Sequence, residues 1–409
     1  MLQLNDKKNC CGCTACYTIC PKSAIQMKKD EEGFFYPVIS SEQCVNCGLC
    51  EKICPMINDK SNISDEKGTI QIGIQNRNLK KRMESTAGGA FSLIAEYVLE
   101  NHGYVYGAGW DNGVVIHKET RNAEELKELR GSKYVQSNLN NTFYKIKEKL
   151  KSGELVLFVG TPCQVNALKR VVGNHEKLIC IDLLCLGVSS PGIFASWIDY
   201  LQDKYKASIQ NVEFRNKRFG YATTNVRINF ENGQKVEQKY DSKSYSQTFF
   251  KGYNVRPSCY ECKFRTIPRV SDFTIGDFVD IGEYSKDLDD DKGTTLMFLH
   301  TEKAKNLLNN IVSDFTMIHV ANGLSCIVGG KAKQIQVPKD RNQFFEDYKS
   351  MEWIDFIQKY VPNTWKSKLA NVGRLVVGCL PFKHKLFKLI RKKKSASFRK
   401  NIENVNRDT

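Results

Sequence analysis

Two stretches of this chain repeat one another at a fixed offset, and each ends in Cys-Pro. Cys10, Cys13, Cys16 and Cys20-Pro21 follow the pattern C-x2-C-x2-C-x3-C-P, and Cys44, Cys47, Cys50 and Cys54-Pro55 follow it again. A loop this tight lets three thiolates wrap one face of an iron–sulfur cubane, while the fourth cysteine, leaving toward proline, serves the other cluster. The spacing therefore assigns Cys10, Cys13, Cys16 and Cys54 to one [4Fe–4S] cluster. It assigns Cys44, Cys47, Cys50 and Cys20 to a second. A pair of zinc sites would use separated C-x2-C hooks and has no need of four-cysteine runs closed by proline. Cys11 is an extra thiol inside the first loop and reads as a bystander. Between the runs, Ala24 to Ile39 alternates as a strand–turn–strand about Glu32-Gly33.

The rest of the composition narrows the class. Of 16 cysteines in 409 residues, nine fall between Cys10 and Cys54. In a reducing compartment such cysteines are more often metal ligands than disulfides. The polar start of the chain and the lack of a long apolar run give a cytoplasmic expectation. The net charge of +16 is lopsided. Residues 366–400 hold twelve Lys or Arg and no Asp or Glu, so the basic charge is not spread over a fold and no nucleic-acid-binding module is expected. In that tail Leu369, Val376, Leu380, Phe382, Leu386, Phe387, Leu389 and Ile390 interleave with the basic residues. A basic amphipathic helix can lie on an anionic membrane surface, which would place the protein at the inner face of the membrane. The alternatives are a solvated tail or a docking site for an acidic ferredoxin.

After a polar linker over 58–68, the pattern changes to alternating helices and short, fully apolar strands. Helices are expected over Ala90–Asn101, Asn141–Lys151 and Pro162–Val172, and strands over Tyr104–Ala108, Val114–His117, Leu155–Val159 and Leu178–Leu184. Asn122 with Glu125 reads as a capping box for a helix to Leu129, Gly107-Ala108-Gly109 as a turn, and Asn232-Gly233 as the centre of a hairpin. Such a succession argues for a buried, mostly parallel sheet in an α/β domain.

Ligands of such sheets collect beyond the carboxyl ends of the strands. Cys163 follows one apolar strand and Cys185 ends the next, and Cys259-Tyr260-Glu261-Cys262 forms a hook in an expected loop. These four close a third cubane, or else form a buried thiol pair and a separate zinc hook. Ser85-Thr86-Ala87-Gly88-Gly89 opens a helix and reads either as an anion site, through free amides and the helix dipole, or as a plain helix start. Asp272 and Asp277 read as turn residues.

Taken in order, Ser85–Phe91, Leu129–Tyr134, Val159–Gln164, Ile181–Cys185, Cys259–Cys262 and Ser271–Asp277 resemble the family of coenzyme F-420 (deazaflavin) hydrogenase/dehydrogenase beta subunits, here fused to a two-cluster ferredoxin module. The resemblance covers about residues 70–300 and implies an iron–sulfur flavoprotein. It implies FAD near Ser85, Thr86, Gly88, Gly89, Gly131, Ser132, Lys133 and Tyr134. It also implies a third [4Fe–4S] cluster on Cys163, Cys185, Cys259 and Cys262. Lys133 would favour a reduced, anionic flavin, or is an ordinary solvated lysine. Leu186 stands where many bacterial members carry a histidine, so a proton donor there is not expected. The implied architecture is α/β (α+β). Residues 1–60 form the bacterial-ferredoxin-like domain, 70–190 and 191–345 the two parts of the flavin-binding domain, and 346–409 a basic helical tail. The implied role is an electron relay from a low-potential donor, such as a ferredoxin or a redox enzyme subunit, through the clusters to FAD and a small-molecule substrate. The alternative is a non-catalytic electron-transfer subunit serving a partner enzyme.

Overall fold

The computed structural model describes residues 6–57, 69–223, 225–320, 327–328, 331–365, 369 and 373. The expected linker over 58–68, and the basic tail over 366–400 apart from Leu369 and Gly373, lie outside the described residues.

Each cysteine run folds into a loop and a five-residue helix: α1 over Ala15–Ile19 and α2 over Leu49–Ile53. The loops adopt left-handed backbone at matched positions of the repeat. These are Gly12 (φ 70°) and Thr14 (63°) in the first, and Asn46 (53°) and Gly48 (71°) in the second. Each helix then ends at an extended cysteine, Cys20 or Cys54, because the proline that follows disfavours helical backbone before it. Between the runs, β1 (Ile25–Lys29) and β2 (Phe35–Ile39) pair antiparallel, with Ile25 opposite Ile39 and Lys29 opposite Phe35. The turn falls at Glu32-Gly33, as the alternation requires.

The larger part of the chain begins with β3 (Ile70–Asn76), α3 (Leu79–Glu84), α4 (Ala90–Glu100), β4 (Tyr104–Asp111), β5 (Val114–Thr120) and α5 (Leu126–Leu129). It continues through α6 (Thr142–Lys151), β6 (Val156–Gly160), α7 (Pro162–Val172), β7 (Leu178–Leu183) and α8 (Pro191–Tyr205). There follow β8 (Ile209–Glu213), β9 (Arg227–Phe230), β10 (Lys235–Glu237), α9 (Tyr240–Phe250) and α10 (Pro257–Tyr260). The last elements are β11 (Phe273–Asp277), α11 (Ile281–Tyr284), β12 (Thr295–Leu299), α12 (Glu302–Asn310), β13 (Phe315–His319), α13 (Arg341–Ser350) and α14 (Trp353–Tyr360).

Eight strands form one sheet in the order β13-β3-β12-β11-β7-β6-β4-β5. Its central four, β11, β7, β6 and β4, are parallel neighbours, and antiparallel strands flank them. The strand β3 runs with the central four, since it is antiparallel to β12. Apolar residues on both faces of these strands require cover on both sides. One face packs Val105, Leu157 and Ile179 against Leu93, Ile94 and Val98 of α4 and Leu307 and Leu308 of α12. The other packs Tyr106, Phe158 and Cys180 against Phe143 and Ile146 of α6 and Val165 and Leu168 of α7. A three-stranded sheet, β10-β9-β8, and helices α8, α9, α13 and α14 enclose a third core around Trp197, Phe214 and Tyr245. Among the described residues no helix is long and apolar enough to cross a membrane.

The cysteine-rich module is packed into the larger domain. Cys11, Cys13, Ala15 and Met56 belong to the same core as α6 and α7, while Phe34 and Tyr36 join the core around Trp197. At the hairpin turn, Gly33 (φ 80°) meets Gly192 backbone to backbone: a Cβ on Gly33 would lie 2.5 Å from the Gly192 Cα. Ser190, the cap of α8, donates to the Glu32 carbonyl. Arg341 grips the Glu32 carboxylate with two hydrogen bonds of 2.9 and 2.6 Å.

Three local expectations are corrected. Gly107 and Gly109 lie inside β4; a Cβ on Gly109 would stand 2.7 Å from Lys118 Cδ and 3.1 Å from Leu129 of α5, whereas one on Gly107 would make ordinary contact with Leu129 at 3.6 Å. Asn122 and Glu125 form no capping box. The Glu125 carboxylate accepts instead from the Thr120 hydroxyl (2.8 Å), and Asn122 accepts from the Glu124 amide (2.8 Å). Asp272 and Asp277 are not turn residues. Asp272 is buried and accepts from the Cys180 amide at 2.8 Å, and Asp277 ends β11 and pairs with Arg215 at 2.6 Å.

Candidate iron–sulfur relay

Cys10, Cys13, Cys16 and Cys54, together with Cys11, line one cavity of about 290 Å³. Cys20, Cys44, Cys47 and Cys50 line another at the far end of the module. The crossing arises because α1 carries Cys16 but delivers Cys20 outward, and α2 carries Cys50 but delivers Cys54 back. The two cavities differ in their surroundings. Cys47 is exposed, with Val45 and Leu49 exposed beside it, whereas Cys13 is buried against α7.

Burial pushes the Cys16 thiol well above its usual range, and Cys13, Cys10 and Cys54 reinforce it by repulsion. Burial likewise raises Cys10, which the Arg256 guanidinium partly offsets, and Cys54.

Cys163, Cys185, Cys259 and Cys262 come from three separate stretches and lie near enough for the other three to act on the charge of Cys185. Cys163 lies in the first turn of α7, whose start is closed by a capping box of Thr161 and Gln164. Cys185 follows the end of β7. Cys259 sits in the short α10, and Cys262 follows it. An antiparallel bridge between Ser189 and Val255, with the Arg256 amide donating to the Val188 carbonyl at 2.9 Å, lays the two later stretches side by side. Gly187 (φ 138°) keeps them close, since a Cβ there would stand 3.2 Å from Cys259 Cβ. Burial holds Cys185 well above its usual range, with Cys259, Cys163 and Cys262 adding repulsion. Cys259 is pushed up to about 12 and Cys262 to about 11, again by burial and then by their neighbours in the set. Cys163 is instead lowered to about 7, chiefly by a hydrogen bond from Cys11, with burial opposing.

Cys11 thus stands between the sets. It is buried, and its thiol hydrogen-bonds toward both Cys13 and Cys163. Arg256 and Gln136 also lie at this junction, and neither was singled out from the sequence. The only local sign was a cation placed just before Pro257 and the cysteine hook.

The segments expected at FAD also meet. Thr86 Oγ1 lies 3.0 Å from Ser132 Oγ and accepts from the Ser132 amide at 2.8 Å. Gly89 (φ 87°) starts α4 without a side-chain cap, and a Cβ on Gly131 (φ 79°) would meet nothing within 4 Å. Open space beside uncapped helix amides fits a phosphate-bearing cofactor. Other residues there serve the fold. A Cβ on Gly88 would strike the Ile74 carbonyl at 2.1 Å, and Ser85 bonds the Lys81 carbonyl at 2.8 Å. Lys133 donates to the Glu128 and Arg130 carbonyls, both at 2.8 Å, and burial lowers it to about 7. The Tyr134 ring packs against Phe214, Phe249 and Phe250, and its carbonyl accepts from Tyr245 at 2.8 Å.

Two buried histidines give the fold a pH dependence. Burial lowers His117 to about 4 and His300 to about 3. The His117 Nε2 faces the Val159 carbonyl at 3.1 Å, and its ring stacks on Phe158. Both folded values lie below the unfolded value of about 6.5. Between pH 6.5 and 4 the unfolded chain therefore binds protons that the folded chain refuses. The stability from neutral histidine is complete above pH 6.5 and falls with pH, by up to about 1.4 kcal/mol per unit for each residue. The difference in denaturation midpoint between His117→Gln and the parent protein is expected to change between pH 7 and 5. A constant difference would contradict this.

These features define an iron–sulfur electron-transfer protein: a two-cluster ferredoxin module joined to an α/β redox domain. Residues 9–57 match the 4Fe-4S dicluster domain, and residues 153–321 match the family described as the C terminus of the coenzyme F420 hydrogenase/dehydrogenase beta subunit. The chain therefore joins a dicluster ferredoxin domain to a C-terminal domain of the family of coenzyme F420 hydrogenase/dehydrogenase beta subunits.

It is 25% identical over 197 residues to a subunit of the F(420)H(2) dehydrogenase of Methanosarcina mazei, covering 43% of this chain and 53% of that protein. Over 62 residues it is 37% identical to the pyruvate synthase subunit PorD of Methanocaldococcus jannaschii, covering 15% of this chain and 66% of that one. The chain spans about half the length of the dehydrogenase subunit it matches. A chain of the F420-reducing [NiFe] hydrogenase complex from Methanosarcina barkeri aligns with a TM-score of 0.43 and 16% identity, over 71% of this chain and 90% of that one.

Proposed function

We propose that this chain is an iron–sulfur flavoprotein that carries electrons from a low-potential donor to FAD and on to a small organic substrate or hydride-carrying coenzyme. The observation that carries the reading is the run of cysteines across the molecule. It starts at the exposed Cys47, passes the cavity of Cys10, Cys13, Cys16 and Cys54, and ends at Cys163, Cys185, Cys259 and Cys262. When bound, the clusters would supply one-electron steps and FAD the change to two-electron chemistry.

The chain's own residues would do the rest. Cys20, Cys44, Cys47 and Cys50 would hold the entry cluster beside the exposed Val45 and Leu49, where a donor can approach. Cys10, Cys13, Cys16 and Cys54 would hold the inner cluster, with α6 and α7 excluding water from it. Cys163, Cys185, Cys259 and Cys262 would hold the third. Ser132 to Gln136 runs beside Ser189, with the Gln136 amide donating to the Ser189 carbonyl at 3.1 Å. That contact would keep a flavin on Thr86, Gly89, Gly131 and Ser132 close to the third cluster.

The test is turnover by the isolated chain. Oxidation or reduction of a hydride carrier by the chain alone supports this reading. One-electron exchange with dyes and no hydride transfer would leave a non-catalytic electron-transfer subunit serving a partner. That second reading is favoured by the relatives, which are themselves named as subunits of larger enzymes.

A further inference from the structure

Arg256 is fully buried at the junction of the two inner cysteine sets, and each of its three side-chain nitrogens donates there. Its Nε donates to the Cys10 carbonyl at 2.8 Å, and Nη1 donates to Gln136 Oε1 at 3.0 Å. Its Nη2 reaches the Phe35 carbonyl at 3.1 Å and the Cys10 sulfur at 3.6 Å. The guanidinium also lies 4.2 Å from the Tyr36 ring centre. Among the described residues, none of these partners is a carboxylate. Gly12 is a glycine partly because this side chain is there: a Cβ would stand 3.0 Å from Arg256 Nη1 and 2.6 Å from Gln136 Nε2. Cys259, three residues along the chain, and Cys11 also act on its charge.

An isolated cation buried this way costs several kcal/mol unless opposite charge stands near it. The negative charge within its reach belongs to sulfurs: Cys10 lies 3.6 Å from Nη2, and Cys259, whose amide donates to the Arg256 carbonyl at 2.9 Å, acts on the guanidinium by charge. A thiolate-ligated cubane is anionic and gains one further negative charge on reduction. A fixed cation therefore stabilises the reduced form, and net charge and hydrogen bonds to sulfur are the levers that set cluster potential.

We propose that Arg256 is a tuning residue shared by the inner and third clusters, whose fixed charge raises both potentials relative to the entry cluster and so drives electrons inward. This rests on the three-cluster reading above. The side chain takes no part in electron transfer itself; it biases where the electron resides.

The test is a potentiometric titration followed by electron paramagnetic resonance on anaerobic protein, with iron and sulfide measured on the same samples. Arg256→Gln removes the charge. Gln136→Glu keeps Arg256 and sets a carboxylate against it with almost no change of volume. In both, the two inner signals are expected to fall about tenfold in reduced-to-oxidised ratio at fixed potential, about 59 mV for a one-electron couple. The entry cluster should stay in place, and Arg256→Lys should stay close to the parent. Unchanged inner potentials at full iron would overturn the proposal. So would a shift confined to one cluster, an equal shift in Arg256→Lys, or loss of iron in Arg256→Lys. About eight irons in the parent protein would instead mean that the three-cluster reading has failed.

Discussion

Replacing Cys163 with serine is expected to remove about four of about twelve irons per chain and to leave about eight. A serine hydroxyl is a poor substitute for a soft thiolate toward iron. The substitution leaves Thr161 and Gln164 in place, so the start of α7 keeps its capping box. The three remaining thiols would then face one another without their fourth ligand, in surroundings that already disfavour their charge through burial and mutual repulsion. Cys11→Ser is the control. Its thiol contacts both Cys13 and Cys163, yet the account gives it no iron, so all three clusters should survive. Iron analysis with resonance spectra of the reduced protein reads both variants. Full iron in Cys163→Ser, or loss of the ferredoxin clusters with it, would contradict the assignment.

Removing the Arg341 side chain is expected to undock the ferredoxin module. Arg341 ties three things together: the Glu32 carboxylate by two hydrogen bonds, the Val255 carbonyl at 3.0 Å and the Tyr260 hydroxyl at 2.9 Å. Tyr260 lies inside the Cys259–Cys262 hook, so the same guanidinium joins the hairpin turn to the third cysteine set. The Arg341 side chain is 9% exposed and that of Glu32 17%. Removing one partner of so buried a pair leaves the other charge uncompensated, at about 3–5 kcal/mol. Arg341→Met should therefore lower the denaturation midpoint and open the module to proteolysis. Electron transfer between the module and the third cluster should slow, with iron content unchanged. Glu32→Gln, which keeps the shape and removes the charge, should show a similar but smaller effect. A midpoint equal to that of the parent would remove this contact from the account.

The ferredoxin module was legible because its information is local. Cysteine spacing, the prolines after Cys20 and Cys54, and the alternation around Glu32-Gly33 each act within a few residues. The parallel core was legible for the same reason, since short apolar strands alternate with amphipathic helices. Cys163, Cys185 and the Cys259–Cys262 hook could be grouped from strand ends and spacing, but the rest of the junction was not legible, because the Ser189–Val255 bridge that lays two of these stretches side by side has no sequence signature. Arg256 and Gln136 gain their meaning only from what packs around them. Gly107 and Gly109 misled because paired glycines usually mark turns; here both lie within a strand, and Lys118 and Leu129 crowd Gly109. The Asn122 box failed because the Thr120 hydroxyl competes for Glu125.

The most direct test of the central claim is anaerobic purification followed by iron, sulfide and flavin quantification on one sample. About twelve irons with one FAD per chain is the predicted result. About eight irons and no flavin would contradict it, leaving a ferredoxin module on an α/β scaffold with catalysis carried by another chain.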